Sequence, residues 1–216
     1  MRSCVALTLG MLTLASVASA QSPAGASDSD RGYVEGVLQS AFGNVTSQSF
    51  GAELGFTVMP NIQVFGEVGQ VRDAATSGIG VAAQSIAGFL SQTQANVAFR
   101  VKEPVTFGVA GLKFVVPTAG TVRPYVLAGG GVASVKQDVA FTVGGTDVTS
   151  KLGSLGVTLG TDLSGTFTKP MVVVGAGAMW PWQRLVVDLQ YRFGRIFAED
   201  QGINVSRAGI GIGVRF

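Results

Sequence analysis

From Gly32 onward the chain repeatedly alternates apolar and small or polar residues. "SFGAELGFTV" sets Phe50, Ala52, Leu54, Phe56 and Val58 against Gly51, Glu53, Gly55 and Thr57. "RLVVDLQYRF" sets Leu185, Val187, Leu189, Tyr191 and Phe193 against Val186, Asp188, Gln190 and Arg192. The closing "AGIGIGVRF" places Ala208, Ile210, Ile212, Val214 and Phe216 on one side, with only glycine or arginine between them. A period of two is the signature of a strand with two unlike faces. Eight such runs are predicted: Gly32–Gly43, Gln48–Val58, Asn61–Val71, Val105–Val116, Arg123–Val135, Met171–Trp180, Arg184–Ile196 and Asn204–Phe216.

The junctions between runs alternate in character. "MPN" at Met59–Asn61, "PTAGTV" at Pro117–Val122 and "PWQ" at Pro181–Gln183 are short and rich in turn residues. On the opposite side Asn44–Ser47 and Phe197–Ile203 are short, whereas Arg72–Pro104 and Lys136–Pro170 are long. Short turns on one rim and longer loops on the other are the layout of a transmembrane β-barrel. A run of about ten residues rises ~33 Å, and a tilt of ~40° brings that to the ~25 Å of an apolar band. The fold expected is therefore all-β: an eight-stranded antiparallel up-and-down transmembrane β-barrel with short periplasmic turns and two long extracellular loops. In the first long loop, Val81, Ile86, Phe89 and Leu90 fall near one helical face, which predicts a short helix within 72–104. In the second, Val139, Phe141 and Val143 extend the fifth run to a turn at Gly144-Gly145, with a helical turn near Val148–Leu155. Counting Gln92–Val101 and part of Gln137–Thr149 as strands would give ten, with "KEP" as a tight turn; turn lengths favour eight.

Which face looks outward follows from polarity. One face of each run is uniformly apolar; the other carries Gly, Glu, Gln, Asp and Arg. A soluble barrel, such as a lipocalin-like ligand carrier, would have to bury that second face as its core, against the cost of burying charge. A barrel in lipid turns it inward. The inward set then contains Glu35, Glu53, Glu67 and Asp188 together with Lys113, Arg192, Arg207 and Arg215, four acids and four bases. An eight-stranded lumen is only wide enough for side chains, and buried charges must pair. The expected lumen is a salt-bridged plug, with Arg215 near a rim where water is equally accessible. Trp180, Trp182, Tyr125 and Phe216 lie near the short-turn rim and are expected to form an interfacial aromatic belt.

Composition narrows the function. The 216 residues are 47% hydrophobic but only 13% charged, and the formal charge of +2 gives no basis for nucleic-acid binding. There is no histidine. Residues 1–20, "MRSCVALTLGMLTLASVASA", have a basic start, an apolar centre and an Ala-Ser-Ala exit, which predicts a cleaved secretory signal. Cleavage removes the one cysteine, Cys4, so no disulfide and no thiol nucleophile remain. Residues 21–31 read as a disordered leader and 32–216 as the barrel. Without histidine or cysteine, the usual triads and metal sites are excluded, and carboxylates beside arginines are more often structural than catalytic. No enzyme activity, cofactor or metal is expected. "GIGIG" is not a dinucleotide fingerprint, because no helix can follow it before the chain ends. Asn44-Val45-Thr46 and Asn204-Val205-Ser206 match glycosylation sequons, and no modification is expected at either.

"RPYVLAGGGVA", the paired runs and the terminal "GIGIGVRF" resemble the OmpA-like and porin-like outer-membrane β-barrel domains of Gram-negative bacteria. The resemblance spans nearly all of 32–216. It implies an outer-membrane location, contact with outer-membrane lipids and insertion by the barrel assembly machinery. The assembly signal of that family is matched by Gly211, Val214 and Phe216, while Gly209 stands where the family has a polar residue. The expected role is structural or one of surface-loop interaction, in a monomer. The alternative is a small channel or a barrel that binds small hydrophobic solutes or a surface ligand through Ile79, Val81, Ile86, Phe89 and Leu90.

Overall fold

The structure, a computed structural model, describes residues 31–43, 45–160, 163–198 and 202–216. The signal at 1–20, the leader up to residue 30 and the sequon residue Asn44 lie outside the described residues. The strands are β1 (Gly32–Phe42), β2 (Ser47–Met59), β3 (Ile62–Val71), β4 (Val97–Lys102), β5 (Val105–Val115), β6 (Arg123–Val143), β7 (Thr146–Asp147), β8 (Ser164–Trp182), β9 (Leu185–Ile196) and β10 (Ile203–Arg215). One helix, α1 (Ser77–Leu90), and one 3₁₀ segment (Thr149–Leu155) lie in the two long connections.

Eight strands close a ring, β1-β2-β3-β5-β6-β8-β9-β10, every neighbour antiparallel. The seam pairs β1 with β10, from Tyr33 opposite Arg215 to Phe42 opposite Ser206. The last residue is held in it, since Phe216 N–H donates to Gly32 O and Gly32 N–H to Phe216 O, each at 2.9 Å. Closure leaves the eight-stranded ring without an unpaired edge strand.

The wall is apolar outside. Leu38, Val68, Leu112, Val132, Val174, Leu189 and Ile212 are all exposed, while their sequence neighbours turn inward. That inversion is the arrangement of a barrel whose surrounding solvent is hydrocarbon. Among the described residues no helix is long and apolar enough to cross a membrane.

At the loop end the wall rises above the ring. β6 runs for 21 residues and β8 for 19. β4 pairs with the top of β6, Lys102 opposite Asp138 and Val97 opposite Val143. β5 pairs with the lower part in the same sense, Val105 opposite Val135. "KEP" is therefore not a tight turn: β4 and β5 are one ladder in continuous register, interrupted at Glu103-Pro104. Pro104 has no N–H to give, but its carbonyl accepts from Lys136 N–H at 3.0 Å and keeps the ladder intact. β6 and β7 are joined by Gly144-Gly145, at φ +57° and +83°, the left-handed pair that a two-residue hairpin turn requires.

The helix expected in 72–104 is present, but its inner face differs from the one expected. Ile79, Ala83, Ala87 and Leu90 are buried, spaced by four, four and three residues, and pack with Val139, Phe141, Leu152 and Leu163 into a second core above the ring. Val81 and Phe89 point away from this core, 63% and 51% exposed. A helical face is about 100° wide, and Val81 and Phe89 lie outside the stripe set by Ile79 and Leu90.

Candidate functional site

Strand register builds the lumen. Glu35 on β1 stands opposite Glu53 on β2, and Glu53 opposite Glu67 on β3. Three carboxylates thus lie side by side on adjacent strands. On β9 and β10, Arg192 stands opposite Arg207. Like charges directly opposite on neighbouring strands repel. Neither row is a reasonable feature of an open sheet. Both become favourable when the sheet closes and sets one row against the other.

The closure is dense. Arg192 donates Nη1 to Glu67 at 2.6 Å and Nη2 to Glu53. Arg207 donates Nη1 and Nη2 to Glu67 at 2.8 and 3.3 Å, and Nη1 to Gln39 Oε1 at 3.3 Å. Lys113, from β5, donates to Glu53 at 2.7 Å and contacts the Tyr33 hydroxyl at 2.6 Å. Tyr33 donates in turn to Glu53. Lys113, Arg192 and Arg207 are completely buried. Their cationic ends also sit against rings: Lys113 lies 4.1 Å from the Tyr125 centroid and Arg207 lies 4.2 Å from that of Phe107. Stacking on an aromatic face offsets part of the lost hydration.

A second group adjoins the first. Tyr125 donates to Asp188 Oδ2 at 2.7 Å. Gln190 donates to Glu35 Oε1 at 3.2 Å and accepts from Gln39 at 3.2 Å. Gln39 and Gln190 thereby link Glu35 to Arg207 and join both groups into one network.

Glycines make the space. A Cβ on Gly55 would sit 2.2 Å from the Tyr33 ring, and one on Gly211 would sit 2.7 Å from the Glu35 carboxyl. The inward glycines of the terminal strand have this structural use whatever else the strand signals.

Seven of the eight expected lumen charges are buried inside: Glu35, Glu53, Glu67, Lys113, Asp188, Arg192 and Arg207. Arg215 is at the short-turn rim, where its Nε donates to Gln183 O at 2.8 Å. The interior therefore holds four acids and three bases. Trp180, Trp182 and Phe216 are 60%, 69% and 50% exposed and line the outer wall at the short-turn end, with Phe56 edge-on to Phe216 at 5.9 Å. Tyr125 does not join them. It is 2% exposed and points into the lumen, because it shares its parity with the buried Leu127 and not with the exposed Val126. In "RPYVLAGG" both parities carry apolar residues, so the alternation that marks other strands gives no sign there.

Sequence reasoning missed Tyr33, Gln39 and Gln190 as members of the network. The signal existed, since Tyr33, Glu35, Val37 and Gln39 share one parity in "YVEGVLQ". It also missed Glu103, buried where α1 begins. Glu103 Oε2 accepts from Thr76 N–H at 2.6 Å, and Asp73 Oδ1 accepts from the N–H groups of Ala75 and Glu103 at 3.0 Å each. Burial pushes the Glu103 carboxyl above the usual carboxylate range, with the nearby Asp73 adding to the effect. Among the described residues no cluster of histidine, cysteine and carboxylates could hold a metal ion.

A closed antiparallel ring of eight, apolar outside and charged inside, defines the transmembrane β-barrels of the outer-membrane type, and this chain has that fold. Among solved structures it is similar to Neisserial surface protein A, at 11% identity and a TM-score of 0.52, covering 86% of this chain and 96% of that one. It also matches Ail, the attachment invasion locus protein of Yersinia pestis, at 16% identity and a TM-score of 0.46, covering 86% and 97%. A third match is the N-terminal β-barrel domain of Pseudomonas aeruginosa OprF, at 16% identity and a TM-score of 0.44, covering 85% and 97%. No protein-family model and no curated protein matches the sequence.

Proposed function

We propose that this chain is a non-enzymatic outer-membrane barrel of the Gram-negative envelope, closed to ions, that anchors a structured cap at the cell surface. The network of Glu53 and Glu67 with Lys113, Arg192 and Arg207 carries this reading, because it sets buried, oppositely charged side chains against one another across the lumen. The short turns then face the periplasm and the cap of α1, β4, β6 and the 3₁₀ segment faces outward. Its role is structural or one of surface interaction.

The small-solute alternative has less support. Ile79 and Leu90, which a solute would have to displace, are already buried in the cap. The side chains of Val81 and Phe89 are exposed on the other side of the helix.

Gly211, Val214 and Phe216 are proposed as the assembly signal. Val214 and Phe216 project from the wall at the seam, where a folding partner could read them before β10 meets β1. Gly211 faces inward and is needed for Glu35 in any case.

Cell fractionation combined with gel migration before and after heating tests the reading. The full-length protein is expected in the outer-membrane fraction, migrating differently once boiled. Recovery as a soluble periplasmic protein would overturn it.

A further inference from the structure

Outward-pointing bases collect on one side of the barrel at the loop end. Register places them together. Val71 stands opposite Val105 and Val105 opposite Val135, so Arg72 and Lys136 flank residue 104 on its two sides. One row higher Lys102 stands opposite Asp138, and Arg100 opposite Ala140. By parity with the exposed Val68 on β3 and Val132 on β6, these side chains leave the outer wall, not the lumen. Four bases thus share about a third of the circumference with one acid, Asp138.

Few of these charges are committed. Arg72 makes a 3.3 Å contact with Gln48 Oε1, and Lys136 and Asp138, both exposed, approach only to 4.0 Å. Among the described residues Arg100 and Lys102 have no ion-pair or hydrogen-bond partner for their side chains.

Depth identifies what they face. Lys136 lies four residues above Val132 on the same face of β6, about 13 Å along the strand. Between them runs a polar row, Gln70, Thr106, Ser134 and Thr168, in lateral register on β3, β5, β6 and β8. The order from the apolar band outward is hydrocarbon-facing valine, then small polar groups, then long cations. That is the order of a bilayer interface, where Lys and Arg extend to the headgroups.

We propose that Arg72, Arg100, Lys102 and Lys136 form a binding face for the phosphate of an anionic lipid in the leaflet beside the loop end. The occupant is a lipid and not a soluble polyanion, because the patch continues upward from the lipid-facing wall on the same strands. The proposal rests on the reading of the chain as a membrane barrel.

The test uses the full chain in detergent micelles doped with phosphatidylglycerol or phosphatidylcholine of identical acyl chains, with native mass spectrometry counting retained lipid. The wild type is expected to retain phosphatidylglycerol preferentially. Arg100→Gln/Lys102→Gln/Lys136→Gln is expected to lose that preference by about tenfold, near what one or two interfacial cations supply. Arg184→Gln, at the other end, is expected to leave it unchanged. The single variant Lys136→Gln, expected to show a smaller loss, serves if the triple variant folds poorly. Equal retention of both lipids by the wild type, or an unchanged preference in the variants, would overturn the proposal. So would full displacement of the lipid by sodium phosphate at matched ionic strength, which would make the patch a site for a free anion. A wild type that fails to show heat-modifiable migration would instead overturn the barrel reading itself.

Discussion

Arg192 touches both Glu53 and Glu67, and among the described residues no other cation does. Replacing it with alanine takes one of two cations from each of two buried carboxylates, leaving Glu53 to Lys113 and Glu67 to Arg207. Arg192→Ala is expected to lower stability by about 3–5 kcal/mol, the cost of removing one partner from a buried ion-pair network. Urea unfolding of the barrel in lipid, followed by the heat-modifiable gel shift, measures this; a loss within ~0.5 kcal/mol would mean that water already reaches the site. Arg192→Lys is expected to recover only part of the loss, because one ammonium cannot span two carboxylates as a planar guanidinium does. The glycines give a second prediction at this scale. Gly55→Ala sets a methyl against the Tyr33 ring and is expected to cost about 1–3 kcal/mol through overpacking. Truncating the ring as well, in Gly55→Ala/Tyr33→Ala, is expected to remove that clash, so the double variant should be more stable than the sum of the two single losses. Strict additivity would show that Tyr33 does not lie across Gly55.

α1 and the extended parts of β4 and β6 behave as one element tied down at Glu103. Its carboxyl holds the N–H of Thr76 at the start of the helix, while burial raises its tendency to keep a proton. A carboxyl whose folded affinity for protons is raised binds more protons folded than unfolded. In the window from its ordinary value of 4.5 up to the raised one, stability then falls as pH rises. Hydrogen-exchange protection of the α1 amides is therefore expected to decrease with increasing pH across that window, after correction for intrinsic exchange. Glu103→Gln keeps the acceptor oxygen and is expected to flatten the trend. Protection that rises with pH in the wild type would contradict the arrangement. This element also shows where the sequence was legible. Eight runs, the short turns and the helix followed from periodicity alone, since each alternation has only one way to place its apolar side in lipid. The helix's inner stripe did not, because alanines at 83 and 87 carry it as much as Ile79 and Leu90 do. Nor did the continuity of β4 with β5, because Pro104 reads locally as a terminator and only the Lys136 bond across the ladder shows otherwise.

In the whole molecule, closing the ring brings the two charged rows of the lumen together. The glutamate row spans β1 to β3 and the arginine pair spans β9 and β10, so the two meet only when the β1–β10 seam forms. The inward charges could be read from alternation, but their partners could not, since pairing across a lumen depends on shear and on which strands face each other. At the short-turn end Tyr33, Arg123, Met179 and Arg215 line a small space. On the proposed reading, a barrel filled in this way separates two compartments without connecting them. Single-channel recording of the reconstituted protein in a planar bilayer tests that most directly. The wild type is expected to give no steady conductance, and Arg192→Ala brief small openings where the space left by the guanidinium draws in water. Large, steady, porin-sized currents from the wild type would contradict the account.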